Sequence, residues 1–167
     1  GIEHAIELVK RLGLDARLVI SHSAGDEGDE YEQHVRHFAE MLGVKTTFGS
    51  ELIRAQRGRT ADGRKIYALA DAYLMADLVT YPSAIEGFGN AFLEAIYYRR
   101  PIVVNNYTIF SIDIKPKGFD VIDFDGYITN KTVDRAREIL ENPAKRQAMV
   151  ENNYRLAKRY YSYSVLR

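Results

Sequence analysis

The sequence predicts an α/β domain built on a doubly wound parallel sheet with helices on both faces, and three observations carry that expectation. Apolar residues at helical spacing alternate with short apolar runs of strand length along the whole chain. Glycine punctuates several of the junctions, as at Gly13 and Gly43. No internal repeat or low-complexity linker interrupts the alternation, which implies right-handed crossovers and an open sheet with one core.

The elements follow in order. Ile2, Ala5, Ile6, Val9 and Leu12 recur at helical spacing and stop at Gly13, so the chain opens in or at the head of a helix. Ala16 to Ser21 reads as a buried strand. A Gly-rich acidic turn leads to a helix from about Asp29 to Leu42, and Val44 to Phe48 is a second strand. An Arg- and Gly-rich loop, Arg54 to Arg64, precedes an expected helix from about Lys65 to Ala76. Then come a strand Leu78 to Tyr81, a helix from about Asn90 to Tyr98 and a strand Ile102 to Asn105. Phe119 to Phe124 reads as another short strand ending at Asp125-Gly126, followed by two helices, the second over about 143–161 with Pro143 in the first helical position.

Composition narrows the function classes. The chain has 167 residues, enough for one core, with 46% apolar and 28% charged residues. Lys plus Arg equals Asp plus Glu at 23 each, so no global field recruits nucleic acid or an anionic membrane, and any anion has to be bound locally. There is no cysteine, hence no disulfide framework, thiolate nucleophile or zinc ribbon. No apolar run has membrane-spanning length, and Gly1-Ile2-Glu3-His4 resembles no secretion leader, which together point to the cytoplasm. The start without methionine suggests a fragment.

The informative stretch runs from Tyr81 to Ala95: a strand end, a turn containing Gly87 and Gly89, and a helix start. In an open parallel sheet, ligands bind beyond the carboxyl ends of the strands, where this turn lies. The helix starting near Asn90 aims unpaired N–H groups and the positive end of its dipole toward that crevice. Gly87 and Gly89 allow close backbone approach and leave N–H groups around Phe88 to Asn90 available to a phosphate. Glu94 stands one turn into a helix that is apolar nearly all round, so a carboxylate there calls for donors such as the vicinal hydroxyls of a ribose. Taken alone, Glu94 reads more simply as a charge complementing the helix dipole or pairing with an arginine.

The combination Pro-Ser-x-x-Glu-Gly-Phe-Gly, then Leu-Glu-Ala, then Arg-Pro-Ile-Val-Val resembles the donor-site signature of the family-4 retaining glycosyltransferases of the GT-B fold, also described as glycosyl transferases group 1. The resemblance includes two glutamates separated by seven residues, Glu86 and Glu94. It covers nearly the whole chain in element order and is close in residues from Ala76 to Val104. It implies the C-terminal, nucleotide-sugar-binding half of such an enzyme: a Rossmann-like domain spanning 1–167, lacking its first strand, whose C-terminal helix packs toward an N-terminal domain. Glu86 is then the catalytic group that holds hydroxyls of the donor sugar. The backbone of Gly87, Phe88, Gly89 and Asn90 binds the diphosphate, Glu94 the ribose, and the loop at Glu51 and Leu52 the nucleotide base. The partners implied are a nucleotide-sugar donor, an acceptor and the enzyme's own N-terminal domain, with no metal and no cofactor.

Two departures accompany the resemblance. The family clamps its diphosphate with an Arg and a Lys that lie before the position Gly1 matches. Where the family shows paired glycines after its Pro-Val-Val strand, this chain has Asn105-Asn106-Tyr107-Thr108. Other constellations read more simply. Asp123-Phe124-Asp125 imitates a metal-binding Asp-x-Asp, but it precedes Gly126, where Asp-Gly is ordinary turn chemistry. His34 and His37 lie on a polar helix face without a third ligand. Arg54, Arg57, Arg59 and Arg64 read as a solvated basic loop.

Overall fold

The structure is a computed structural model that describes residues 1–21, 28–49 and 52–162. Its internal contacts divide the chain into two compact units, one formed by residues 2–75 and one by Gly1 with residues 76 onward. It is an α/β protein whose strands pair mostly in parallel, in the Rossmann-like manner.

The first unit contains α1 (Ile2–Leu12), β1 (Arg17–Ile20), α2 (Gly28–Leu42), β2 (Lys45–Phe48), β3 (Ile53–Arg54), β4 (Gly58–Arg59), β5 (Lys65–Ala68) and α3 (Leu69–Met75). Both long helices end at glycines with positive φ, Gly13 at 66° and Gly43 at 68°, a conformation that costs glycine nothing and other residues about a kcal/mol or more. β1 and β2 pair in parallel from Arg17 opposite Lys45 to Ile20 opposite Phe48. The helices lay Ala5, Ile6, Val35 and Ala39 against Leu18 and Ile20 to form the core.

The expected helix from Lys65 begins later, at Leu69, because Lys65–Ala68 is a strand. β5 pairs antiparallel with β4 across the turn Thr60–Arg64 and parallel with β3. Two local features set this boundary. Ile66 is buried in the alternating pattern of a strand, whereas the Asp71 side chain reaches back to accept the Ala68 N–H at 2.9 Å, fixing Ala68 as the residue before the first helical turn. Arg57 donates to the same carboxylate through Nε at 2.8 Å and through a second nitrogen.

The second unit contains β6 (Val79–Tyr81), α4 (Asn90–Tyr97), β7 (Ile102–Asn105), β8 (Ile122–Phe124), α5 (Asn130–Glu141) and α6 (Pro143–Tyr161). β6, β7 and β8 form one parallel ladder in that order. All four residues of β7 are buried, as expected for a central strand covered on both faces. Between β7 and β8 the chain makes a π-helical turn, Phe110–Ile114, continued by a 3₁₀ turn, Lys115–Lys117.

β8 starts at Ile122 rather than at Phe119. The preceding backbone is bound elsewhere: the buried Asn153 of α6 accepts the Asp120 N–H and donates to the Asp120 carbonyl, both at 2.7 Å. Thr129 caps α5 by accepting the Thr132 N–H, and Asn142 ends α5 while capping α6 through the Lys145 N–H. Around Phe92 of α4 the core is aromatic, with Phe110 and Phe119 meeting it edge to face at 5.7 and 5.4 Å. Among the described residues no helix is long and apolar enough to cross a membrane.

Candidate functional site

The turn from Pro82 to Gly89 leaves the carboxyl end of β6 and enters α4, so it lies at the edge of the parallel ladder where ligands bind in this architecture. Gly89 closes it with φ 83° and ψ 73°, and caps α4 without a side-chain bond. Here glycine is required twice over. Its φ is left-handed, and a Cβ at this position would come within 2.6 Å of the Tyr107 hydroxyl and 3.1 Å of the Tyr81 ring.

The helical ladder begins with the Phe92 N–H donating to the Gly89 carbonyl at 3.0 Å. Among the described residues the N–H groups of Phe88, Gly89 and Asn90 donate to no partner. Helix starts always leave such groups, so their meaning depends on what surrounds them. Glu86 is half-buried in the turn, Gly87 exposed, and Phe88 packs edge to face on Tyr161 at 5.0 Å.

Glu94 sits one turn into α4 and is half-buried rather than buried. The expectation of a helix enclosed all round does not hold. α4 buries only Phe92, Ala95 and Ile96, one face of its cylinder, and Glu94 lies beside that face.

The segment after β7 ties the turn down. Asn105 is 4% exposed; its Nδ2 donates to the Pro82 carbonyl at 3.2 Å and its Oδ1 accepts the Gly126 N–H at 3.0 Å. Tyr107 is 1% exposed and its hydroxyl donates to the Phe88 carbonyl at 3.0 Å. Burial, followed by the negative charge of Glu86 and the Tyr161 phenol, pushes the Tyr107 hydroxyl up to about 12. It is therefore a permanent donor at neutral pH. In the sequence this segment stands out only as a departure from a glycine pair, with no role attached to these residues. The signal was present as two consecutive asparagines closing the wholly apolar run Ile102 to Val104.

Asp123 is held below the usual carboxylate range. Burial acts to raise it, but the Lys115 ammonium at 2.6 Å and the Asn106 amide at 3.1 Å outweigh that. One oxygen, Oδ2, takes both bonds. Asp125 is exposed and precedes Gly126 at φ 74°, a turn geometry.

Of the two residues expected to meet a nucleotide base, Glu51 lies outside the described residues. Leu52 belongs to the first unit, where its N–H donates to the Gly49 carbonyl at 2.9 Å and its carbonyl accepts from Tyr67 at 2.7 Å. Its N–H is therefore already paired and unavailable to a ligand. In the basic loop, Arg57 pairs with Asp71 and Arg64 with Asp62 at 2.9 Å. His34 stacks on Phe38 with ring centroids 6.5 Å apart and has Glu3 at 3.6 Å.

Comparison with known proteins adds a family and two relatives. Residues 63–156 match the family model described as "Glycosyl transferases group 1". The chain is 31% identical over 149 residues to the mannosylglucosylglycerate synthase of Thermotoga maritima, covering 81% of this chain and 33% of that protein. It is 34% identical over 116 residues to the mannosylglucosylglycerate synthase of Petrotoga mobilis, covering 68% of this chain and 26% of that one. The chain thus spans about a third or less of the length of the curated relatives it matches.

Proposed function

From the premise that the chain belongs to the glycosyl transferases group 1 family, we propose that it binds the nucleoside-diphosphate part of a sugar donor and, together with an N-terminal domain, transfers the sugar to an acceptor with retention of configuration. The observation that carries this reading is the turn at Gly89: three consecutive N–H groups that donate to no partner among the described residues, at the head of a helix, at the carboxyl edge of a parallel ladder, between two glutamates.

The chemistry is mostly positioning. Glu86 orients the sugar through its hydroxyls, and the N–H groups of Phe88, Gly89 and Asn90 receive the charge that develops on the departing diphosphate. Glu94 takes the ribose hydroxyls. None of these steps calls for a metal ion or an activated nucleophile. The relatives' name supports a mannosyl group as the sugar to test first and a glycosylated glycerate as the acceptor class. A cytoplasmic location agrees with this reading.

Calorimetry with UDP, GDP and ADP, with and without EDTA, tests it. The expected outcome is binding of at least one diphosphate, unchanged by the chelator and weakened by Glu94→Gln. Absence of binding to all three, or binding abolished both by EDTA and by Asp125→Asn, overturns it.

A further inference from the structure

We propose that Tyr107 is a positioning residue for diphosphate binding, and that the segment after β7 sets the shape of the donor turn. This rests on the donor-site reading above and deepens it. The turn has two anchors, and neither belongs to the turn itself. Asn105 holds its first residue through the Pro82 carbonyl, and Tyr107 holds its last stretch through the Phe88 carbonyl. The two side chains come from one β-strand end, so the turn hangs from the central strand of its ladder.

A simple core role does not require the hydroxyl. A phenylalanine at position 107 would fill the same space against Tyr81 and Phe110, whose ring centroids lie 5.9 and 5.8 Å away. The buried hydroxyl carries a desolvation cost that the Phe88 carbonyl offsets. In return it fixes the orientation of the Phe88–Gly89 peptide group, because a peptide is planar and holding its carbonyl also fixes the Gly89 N–H opposite it. The same hydroxyl occupies the space a side chain at residue 89 would take, 2.6 Å from where its Cβ would stand. The Gly89 conformation and the Tyr107 phenol are therefore complementary. A carbonyl left free to turn would present a negative dipole to a phosphate in place of a donor; held by Tyr107, it cannot.

The test compares two ligands on two proteins. Dissociation constants are measured by calorimetry for the nucleoside diphosphate that the wild type binds best and for the corresponding nucleoside, on the wild type and on Tyr107→Phe. The expected result is diphosphate affinity about five- to tenfold weaker in Tyr107→Phe, the worth of one preorganising hydrogen bond, with nucleoside affinity unchanged. Equal weakening of both ligands, or no change in either, overturns the inference while leaving the donor-site reading standing. A wild type that binds no diphosphate overturns both. A melting curve establishes that the variant folds. If it does not, 3-fluorotyrosine at position 107 takes its place, keeping the ring while acidifying the hydroxyl, and a ratio of the two constants identical to that of the wild type overturns the assignment.

Discussion

Asn105 and Gly126 are joined across the ladder edge: the side-chain oxygen at the end of β7 accepts the N–H of the turn that follows β8, at 3.0 Å. With its amide nitrogen on the Pro82 carbonyl, this one buried side chain links three consecutive strand ends.

Asn105→Asp is expected to destabilise the second unit by about 2–4 kcal/mol at neutral pH, because a buried carboxylate would then face the Pro82 carbonyl. Asn105→Ala, which only strands the two partners, should cost about 1–3 kcal/mol. Urea unfolding of both variants checks the order. An Asp variant as stable as wild type would show that Asn105 does not bridge the turns.

Arg99 is the only non-glycine residue with a positive φ among those described, at 52°, and it ends α4 in a Schellman arrangement: its N–H bonds the Ile96 carbonyl and the Arg100 N–H bonds the Ala95 carbonyl, both at 2.9 Å. Its guanidinium stacks 3.8 Å from the Tyr154 ring centroid and pairs with Glu151. Arg99→Gly should fall within about 1 kcal/mol of wild type, since relief of the backbone offsets loss of the stacking. Arg99→Val gains neither and puts a β-branched residue in the left-handed region, so it should lose about 2 kcal/mol or more. Thermal melts of the pair decide; equal stability would refute the account.

Asp71 is pulled down to about 2, by the Arg57 guanidinium first and the Ala68 N–H second. A carboxyl whose folded value is depressed lends stability that is fully present above its unfolded value of about 4 and is lost as pH falls toward 2. Asp71→Asn should therefore flatten the acid limb of the stability profile between about pH 4 and 2, while lowering the neutral plateau. Parallel acid titrations followed by circular dichroism measure both effects.

Much of this was legible in the sequence, and the failures have physical causes. Helical periodicity with Gly13 and Gly43 as stops located α1 and the end of α2 because capping is local chemistry. The turn before Asn90 was legible for the same reason. The β5–α3 boundary was not: Lys65–Met75 carries an apolar pattern compatible with a helix throughout, and the decision lay with pairing to β3 and β4 and with Asp71. The roles of Asn105 and Tyr107 were hidden because each bonds a backbone carbonyl many residues away, and a carbonyl is the same at every position in the sequence. For Glu94 the composition of α4 suggested full burial, whereas burial depends on how many faces find a neighbour.

Gly89→Ala should be among the more damaging single changes in the second unit. The left-handed φ and the approach to the Tyr107 hydroxyl each add a cost, together about 2 kcal/mol or more, and the retained turn would no longer present the same N–H groups. Adding Tyr107→Phe should restore part of the stability by opening the space, with the backbone cost remaining. A double-mutant cycle showing strict additivity would separate the two residues.

Raising the pH reports on the same phenol from the other side. A hydroxyl whose folded value is raised to about 12 lends stability that is intact below about pH 10 and disappears as pH climbs toward 12. Tyr107→Phe should remove that part of the alkaline loss, seen as a later midpoint in base titration.

Phe88, in the turn that opens α4, rests on Tyr161, in the last turn of α6. A growing polypeptide reaches these partners at very different times. While β6, the turn and α4 have already left the ribosome, the ring that backs Phe88 has yet to be made, and chains fold as they emerge. The turn is thus finished only after α6 has been made, well after its own synthesis, so a chain that stops short of Tyr161, otherwise able to pair its strands, lacks the ring that backs Phe88.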